Sequence, residues 1–401
     1  MFSLFGFSRV SVIFLLFSIA FSSCKKEDNS ASISEQIISE IKDEFAPDKR
    51  VALFDITSSF ENGRFLLSGE TNLPEALKKL TGKLEEQGLT IENNVQLLPE
   101  EELGENTFAI VNISVANIRS KPKHSAELAT QAILGTPLKV LKKEGSWYLV
   151  QTPDHYISWV DAGGILLTNK AQQDAWIAAK KIIFLTKYGE AYSETNPNSQ
   201  TVSDLVLGNI LKLEGESGDF YEVTFPDGRT AFVEKNKTEL FDTWLSSLHA
   251  TENSLVETSK LFMGVPYLWG GTSFKGVDCS GFTKSVYFLN GYILPRDASQ
   301  QVFSGKLIDT SNGFDDLKPG DLLFFGRKAT PESKERIIHV GMWIGNNEFI
   351  HSSGRVRINS FDKNADNFNE YELNRFIRAK RILNNPDENK LKLAKDLKMS
   401  S

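Results

Sequence analysis

Few residues in this chain can do covalent chemistry: its 401 residues include two cysteines and five histidines. Cys279 lies in GVDCSGF, while His339 and His351 share the segment HVGMWIGNNEFIHSSG. A thiol, an imidazole to take its proton and a polar group to orient that imidazole form a nucleophilic catalyst. In that scheme Cys279 attacks, His339 is the base and His351 holds the base in place. Taken singly, a cysteine in an apolar helix is usually core and a strand histidine usually structural. Their joint occurrence favours catalysis.

Two elements must position these groups. After Asp278, the run CSGFTKSVYFLNG sets Phe282, Val286 and Leu289 at i, i+4 and i+7, predicting an amphipathic helix that ends at Gly291. Asp278 would cap it. Cys279 would then occupy the first turn, where free amide N–H groups and the helix dipole favour a thiolate over a thiol of ordinary pKa, about 8.5. The histidines belong to a hairpin. If Asn346-Asn347 is a two-residue turn with an unbroken ladder, His351 faces Met342 and the imidazoles fall on opposite faces of the sheet. One bulge, or a three-residue loop, pairs His351 with Gly341 and puts both rings on one face. The bulged hairpin is predicted.

Hydrophobic residues at 40% and charged residues at 24% fit a soluble globular protein, and the length calls for several domains. A net charge of −7 with no basic run excludes a nucleic-acid binder. The first 24 residues differ: Arg9 precedes an apolar run from Val10 to Phe21, too short to span a bilayer but suited to a signal-peptide core. Ser22, Ser23 and Cys24, followed by KKEDNS, resemble a bacterial lipoprotein signal, in which the cysteine is lipidated. The expectation is an exported protein anchored to the membrane through Cys24 and facing the periplasm rather than the cell surface. Exported proteins normally pair their cysteines. With Cys24 consumed, Cys279 has no partner and needs another reason to be there.

Residues 30–105 read as a small α+β spacer: a helix in ISEQIISEIKDEF, strands either side of Asn62-Gly63, then a helix in LPEALKKLTGKLEEQG. An internal repeat follows. Gly135, Trp147, Pro153-Asp154 and Trp159 recur as Gly208, Phe220, Pro226-Asp227 and Phe232, an offset of 208 − 135 = 73. The two copies, 106–168 and 180–243, are rich in short β segments and predict two small barrels or sandwiches. VANIRSKPKHSAELATQAILGTPLKVLKKEGSWYLVQ resembles bacterial SH3-like domains, and the second copy resembles them more weakly. Residues 254–384 have a helix-then-strands α+β texture, followed by a charged tail.

The blocks VPYLWGGTSFKGVDCSGFTKSVYFLNGYILPRDASQQ, LKPGDLLFF and HVGMWIGNNEFIHSSG resemble the NlpC-type papain-like cell-wall peptidases. Those enzymes hydrolyse the bond between D-glutamate and a diamino acid in peptidoglycan stem peptides. The resemblance implies a papain-like α+β catalytic domain with Cys279, His339 and His351 as its triad. It also implies an oxyanion site from the Cys279 backbone N–H and the Tyr267 hydroxyl, and Trp269 is a further candidate for binding substrate. In such enzymes the first SH3-like domain closes one end of the cleft. Glu127, Tyr156 and Asp278 would then bind the free amine of an N-terminal L-alanine, and Ser280 and Ser299 would contact the substrate. At an offset of 73 the second copy has Gln200 and Arg229 in place of Glu127 and Tyr156. No cofactor or metal site is expected, because the histidines stand twelve apart and the cysteine is alone. Peptidoglycan fragments are the expected partners of a monomer. The alternatives are an amidase or acyltransferase on the same fold, or an inert peptidoglycan-binding protein.

Overall fold

Asn62 and Gly63 take φ of 51° and 81°, so a two-residue turn joins strands Phe54–Glu61 and Arg64–Thr71, with Glu61 opposite Arg64. The computed structural model describes residues 30–384 and 392–393; Cys24, the expected signal segment and most of the charged tail lie outside the described residues. Up to Glu101 the described chain forms one compact unit. Helix 30–45 and helix Pro74–Glu86 bury Ile41, Leu80 and Leu84 against Phe54, Ile56 and Leu67. Strand Ile91–Leu97 adds to the sheet parallel to Arg64–Thr71. Sequence reading missed this strand because IENNVQL carries too few alternating apolar residues to announce it.

From Glu102 onward the chain forms a second unit that opens with the duplicated segments. The first copy is a seven-stranded antiparallel sheet in the spatial order 165–168, 108–111, 137–144, 147–151, 157–161, 115–119, 128–133. The second copy has the same order, and each of its strands starts 73 residues after its counterpart, as in 181 − 108 = 73. The ladder irregularity at Val140/Lys142 recurs at Leu213/Gly215. Inward residues recur too: Leu138, Val150 and Val160 correspond to Leu211, Val223 and Val233, all buried.

The remainder packs helix Cys279–Phe288 against a six-stranded antiparallel sheet, with helix Glu252–Leu261 packed on that helix. Its spatial order is 306–308, 376–381, 322–327, 336–345, 348–353, 355–360. Phe282 and Val286, the expected helix stripe, are fully buried among Phe324, Val340, Met342, Ile350 and Val356. Gly291 follows with φ of 92°. Among the described residues no helix is long and apolar enough to cross a membrane.

Candidate active site

Helix Cys279–Phe288 begins at the thiol, and the Asp278 side chain accepts from the Gly281 N–H at 2.7 Å as its cap. The helix crowds the chain before it: a methyl group at Gly281 would collide with the carbonyl of Gly271, which is why this turn needs glycine. Strands Arg336–Gly345 and Glu348–Ser353 lie behind the helix.

The hairpin between those strands has the predicted bulge. Asn346 and Asn347 form a two-residue turn with φ of 53° and 59°, and Gly345 pairs with Glu348. The register then slips by one between Trp343 and Gly345, so that Phe349 faces Trp343 and Ile350 faces Met342. His351 therefore comes opposite Gly341, on the face that carries His339. The rings meet: His339 Nε2 lies 2.8 Å from His351 Nδ1.

The chain of hydrogen bonds continues one residue further than the sequence suggested. His351 Nε2 is 2.9 Å from Asn359 Oδ1, and the Asn359 amide donates from Nδ2 to the carbonyl of Asn367 at 3.0 Å. Asn369 Nδ2 also donates to Asn359 Oδ1 at 3.2 Å. Asn359 is thus the acceptor for His351, which must carry its proton on Nε2 and accept on Nδ1. His339 then donates from Nε2, and its Nδ1 is left with a lone pair. Extending the register through Gly354 sets Arg357 opposite His351 and Asn359 opposite Phe349. That second hairpin was the sequence signal that could have found Asn359.

Burial is the dominant electrostatic fact. It pushes the Cys279 thiol up to about 12, with the Asp278 carboxylate adding to it; the amides of Val340 and Ser280 and the Arg296 charge pull the other way. Burial also holds His339 well below the ordinary imidazole range, with the His351, Arg375 and Arg357 charges adding. It takes His351 down to about 4 against the Asn359 hydrogen bond. Burial thus works against the thiolate expected from the helix start and against charge on either imidazole.

Asp278 stands in a buried knot. Its Oδ2 is 2.6 Å from Arg296 Nη2 and accepts the Gly270 N–H at 3.0 Å; its Oδ1 accepts from Gly281, from the Ser280 hydroxyl at 3.2 Å and from Arg296 Nη1 at 3.2 Å. Arg296 is 1% exposed and reaches Thr130 Oγ1 of the first copy through Nε at 3.0 Å. Ser280 is held inside this knot. The sequence reading had missed Arg296, which precedes Asp297 in PRDASQQ.

The first copy forms the neighbouring wall. Trp269, 62% exposed, donates from Nε1 to Glu127 Oε1 at 2.6 Å, and the Tyr156 hydroxyl donates to Asp297 Oδ2 at 3.3 Å. Gly270, at φ of 80°, lets the chain pass against the Leu128 carbonyl. Tyr267 is half-buried, and burial, the Cys279 thiol and Asp278 all raise its phenol above the ordinary range. Ser299 is half-buried on the short helix Ala298–Gln301, which packs against the His339 strand.

One grouping was not anticipated from spacing. Ligand atoms of His339, His351 and Glu372 lie within 4.8 Å of one another. The histidines bond each other through His339 Nε2 and His351 Nδ1, and Glu372 forks onto Arg375 at 2.6 and 2.7 Å while standing 3.8 Å from His339 Nε2. The set fits an imidazole relay beside a buried acid better than a cation site.

A family model described as NlpC/P60 matches residues 264–374, and one described as a bacterial dipeptidyl-peptidase Sh3 domain matches residues 118–165. A gamma-D-glutamyl-L-lysine dipeptidyl-peptidase of Bacillus cereus is 30% identical over 56% of this chain and 67% of its own. The protein of that name from Bacillus subtilis is 31% identical over 56% of this chain and 72% of its own. A solved NlpC/P60 family protein from Bacillus cereus superposes with a TM-score of 0.59 at 24% identity, covering 69% of this chain and 99% of that one, and so shares the fold. With relatives matched over two thirds or more of their length, and the family model spanning the thiol helix and both histidine strands, the chain belongs to the NlpC/P60 family.

Proposed function

We propose that the protein is a cysteine peptidase that cleaves the γ-D-glutamyl-diamino acid bond of peptidoglycan stem peptides bearing a free N-terminal L-alanine. The observation that carries the reading is the 2.8 Å contact of His339 with His351, which the hairpin bulge sets on one face of the two strands that pack against the Cys279 helix. As Cys279 Sγ attacks the γ-carbonyl, His339 Nδ1 takes the thiol proton. The Cys279 N–H and the Tyr267 hydroxyl donate to the oxyanion; the raised Tyr267 pKa keeps that hydroxyl protonated at neutral pH. Imidazolium then protonates the departing amine, leaving a thioester. Water, deprotonated by His339, hydrolyses the thioester and restores the thiol.

The names of the relatives support the choice of bond. For the amine, the geometry favours Asp297, Tyr156 and Glu127 over Asp278, whose charge is committed to Arg296. Asp297 keeps 27% of its side chain exposed beside the Tyr156 hydroxyl. Export with a lipid anchor at Cys24 belongs to the same proposal. The test compares wild type with Cys279→Ala on L-Ala-γ-D-Glu-meso-diaminopimelate and on the peptide with its amine acylated. Wild type should cleave only the free-amine peptide and the variant neither. Cleavage surviving in Cys279→Ala sinks the mechanism; equal cleavage of both peptides by wild type sinks amine recognition.

A further inference from the structure

Three arginines around the catalytic sheet have acid partners: Arg296 pairs with Asp278, Arg375 with Glu372 and Arg381 with Asp321. Arg357 has none among the described residues, and its buried Nε has no hydrogen-bond partner. It is half-buried on strand Arg355–Ser360, directly opposite His351. Residues paired across an antiparallel ladder share a face, so Arg357 stands on the side of the sheet that carries His351, His339 and Asn359. After burial, its charge is among the causes that lower the basicity of both histidines.

A guanidinium kept at a reaction centre with an unanswered buried N–H is costly unless something completes it. Its forked donors match a carboxylate in plane and spacing. The acyl half of the substrate runs from the thiol toward Tyr156 and Asp297. The leaving amine must lie over His339, which gives it a proton, so the leaving residue comes to the histidine side. We propose that Arg357 binds a carboxylate on the leaving amino acid and makes the enzyme selective for diamino acids that carry one there. The inference rests on the γ-D-glutamyl peptidase reading. Two sources share this chemistry: the α-carboxylate of a terminal diamino acid and the side-chain carboxylate of diaminopimelate.

Four peptides separate them: L-Ala-γ-D-Glu followed by meso-diaminopimelate or L-lysine, each with its α-carboxylate free or as the carboxamide. The full chain is compared with Arg357→Gln and Arg357→Leu, with Cys279 alkylation rate and thermal melting as checks on the fold. Relative to the lysine carboxamide, which reports the effect of the lost charge on the histidines, both variants should lose about ten- to hundredfold in kcat/KM on peptides bearing the carboxylate that Arg357 reads. Loss that follows the free α-carboxylate assigns the contact to the terminal group, and loss that follows diaminopimelate assigns it to the side chain. Arg357→Lys should recover part of the loss, a point charge replacing a fork. Equal loss on all four peptides, as binding of the D-glutamate carboxylate or a purely structural role would give, overturns the inference, as does no loss on any. Failure of wild type to cleave all four overturns the function itself. Cleavage with no selective loss overturns the inference alone.

Discussion

Asn359 decides which nitrogen of His339 carries the lone pair that would take the thiol proton in the proposed mechanism. Its own amide is oriented by Asn367, so His351 is held with Nε2 protonated and His339 with Nδ1 bare. Asn359→Leu removes the acceptor, and His351 can then place a proton on the nitrogen that faces His339. The base would be left in the wrong tautomer for part of the population. We expect kcat to fall about tenfold or more with KM little changed. Asn359→Asp keeps the acceptor and adds negative charge, which favours imidazolium. Wild-type activity should persist well below the ordinary imidazole range, because burial depresses both histidines; in the aspartate variant the acid limb of the pH profile should move up while kcat at neutral pH survives. A packing role for Asn359 would give neither the tautomer loss nor the shift. Cys279, His339 and His351 stood out in the sequence as candidates because their types are rare, and the meeting of the two histidines followed from the bulge. Asn359, Arg296 and Glu372 were not, since each gains its role from a partner on another strand or helix.

At the start of helix Cys279–Phe288 one carboxylate serves both as the cap and as the partner of a buried arginine. Asp278 caps the helix, receives the Gly270 amide and neutralises an arginine that is 1% exposed. Removing one member of a buried pair strands the other charge, at a cost of about 3–5 kcal/mol. Asp278→Ala should therefore lose at least ~3 kcal/mol in urea unfolding, more than the ~1 kcal/mol expected of a cap alone. Arg296→Met in the same chain should return part of that loss. If the double variant is no more stable than Asp278→Ala, the stranded charge is not the cause. The cap itself was readable from DCSG, as were the Asn-Gly hairpin and the catalytic bulge, which followed from requiring both imidazoles on one face. Burial was not readable: a first-turn cysteine predicts a lowered thiol pKa, whereas the packing of Cys279 raises it. The third strand of the N-terminal unit was also hidden, because its contacts come from a parallel neighbour instead of its own pattern.

Duplication gave two sheets of one design and put the same loop position to different uses. In the first copy Tyr156 reaches across to Asp297 beside the thiol helix. The residue 73 positions later, Arg229, turns back to the first copy, and its Nη2 donates to the Asn112 carbonyl at 2.7 Å. Further ties hold the arrangement: Lys284 of the thiol helix meets buried Asp154 at 2.9 Å, the Tyr188 hydroxyl donates to the Phe274 carbonyl at 2.7 Å, and Thr272 meets Gln131. The first copy thus lines the site, and the second braces the first copy and the catalytic part at once. This division predicts opposite phenotypes at equivalent positions. Tyr156→Phe removes a hydroxyl from Asp297 but leaves its ring packing, so it should raise KM for the free-amine peptide about tenfold with kcat little changed. Arg229→Ala loses its bond to a backbone carbonyl, its ion pair with Asp227 and its packing over Phe225, so stability should fall by about 1–2 kcal/mol while KM stays put. Steady-state kinetics on the free-amine peptide, with urea unfolding of both variants, decides the matter. A KM rise in Arg229→Ala as large as that in Tyr156→Phe would mean that the amine contact depends on how the copies are braced rather than on the tyrosine itself, and the assigned division of labour would fail.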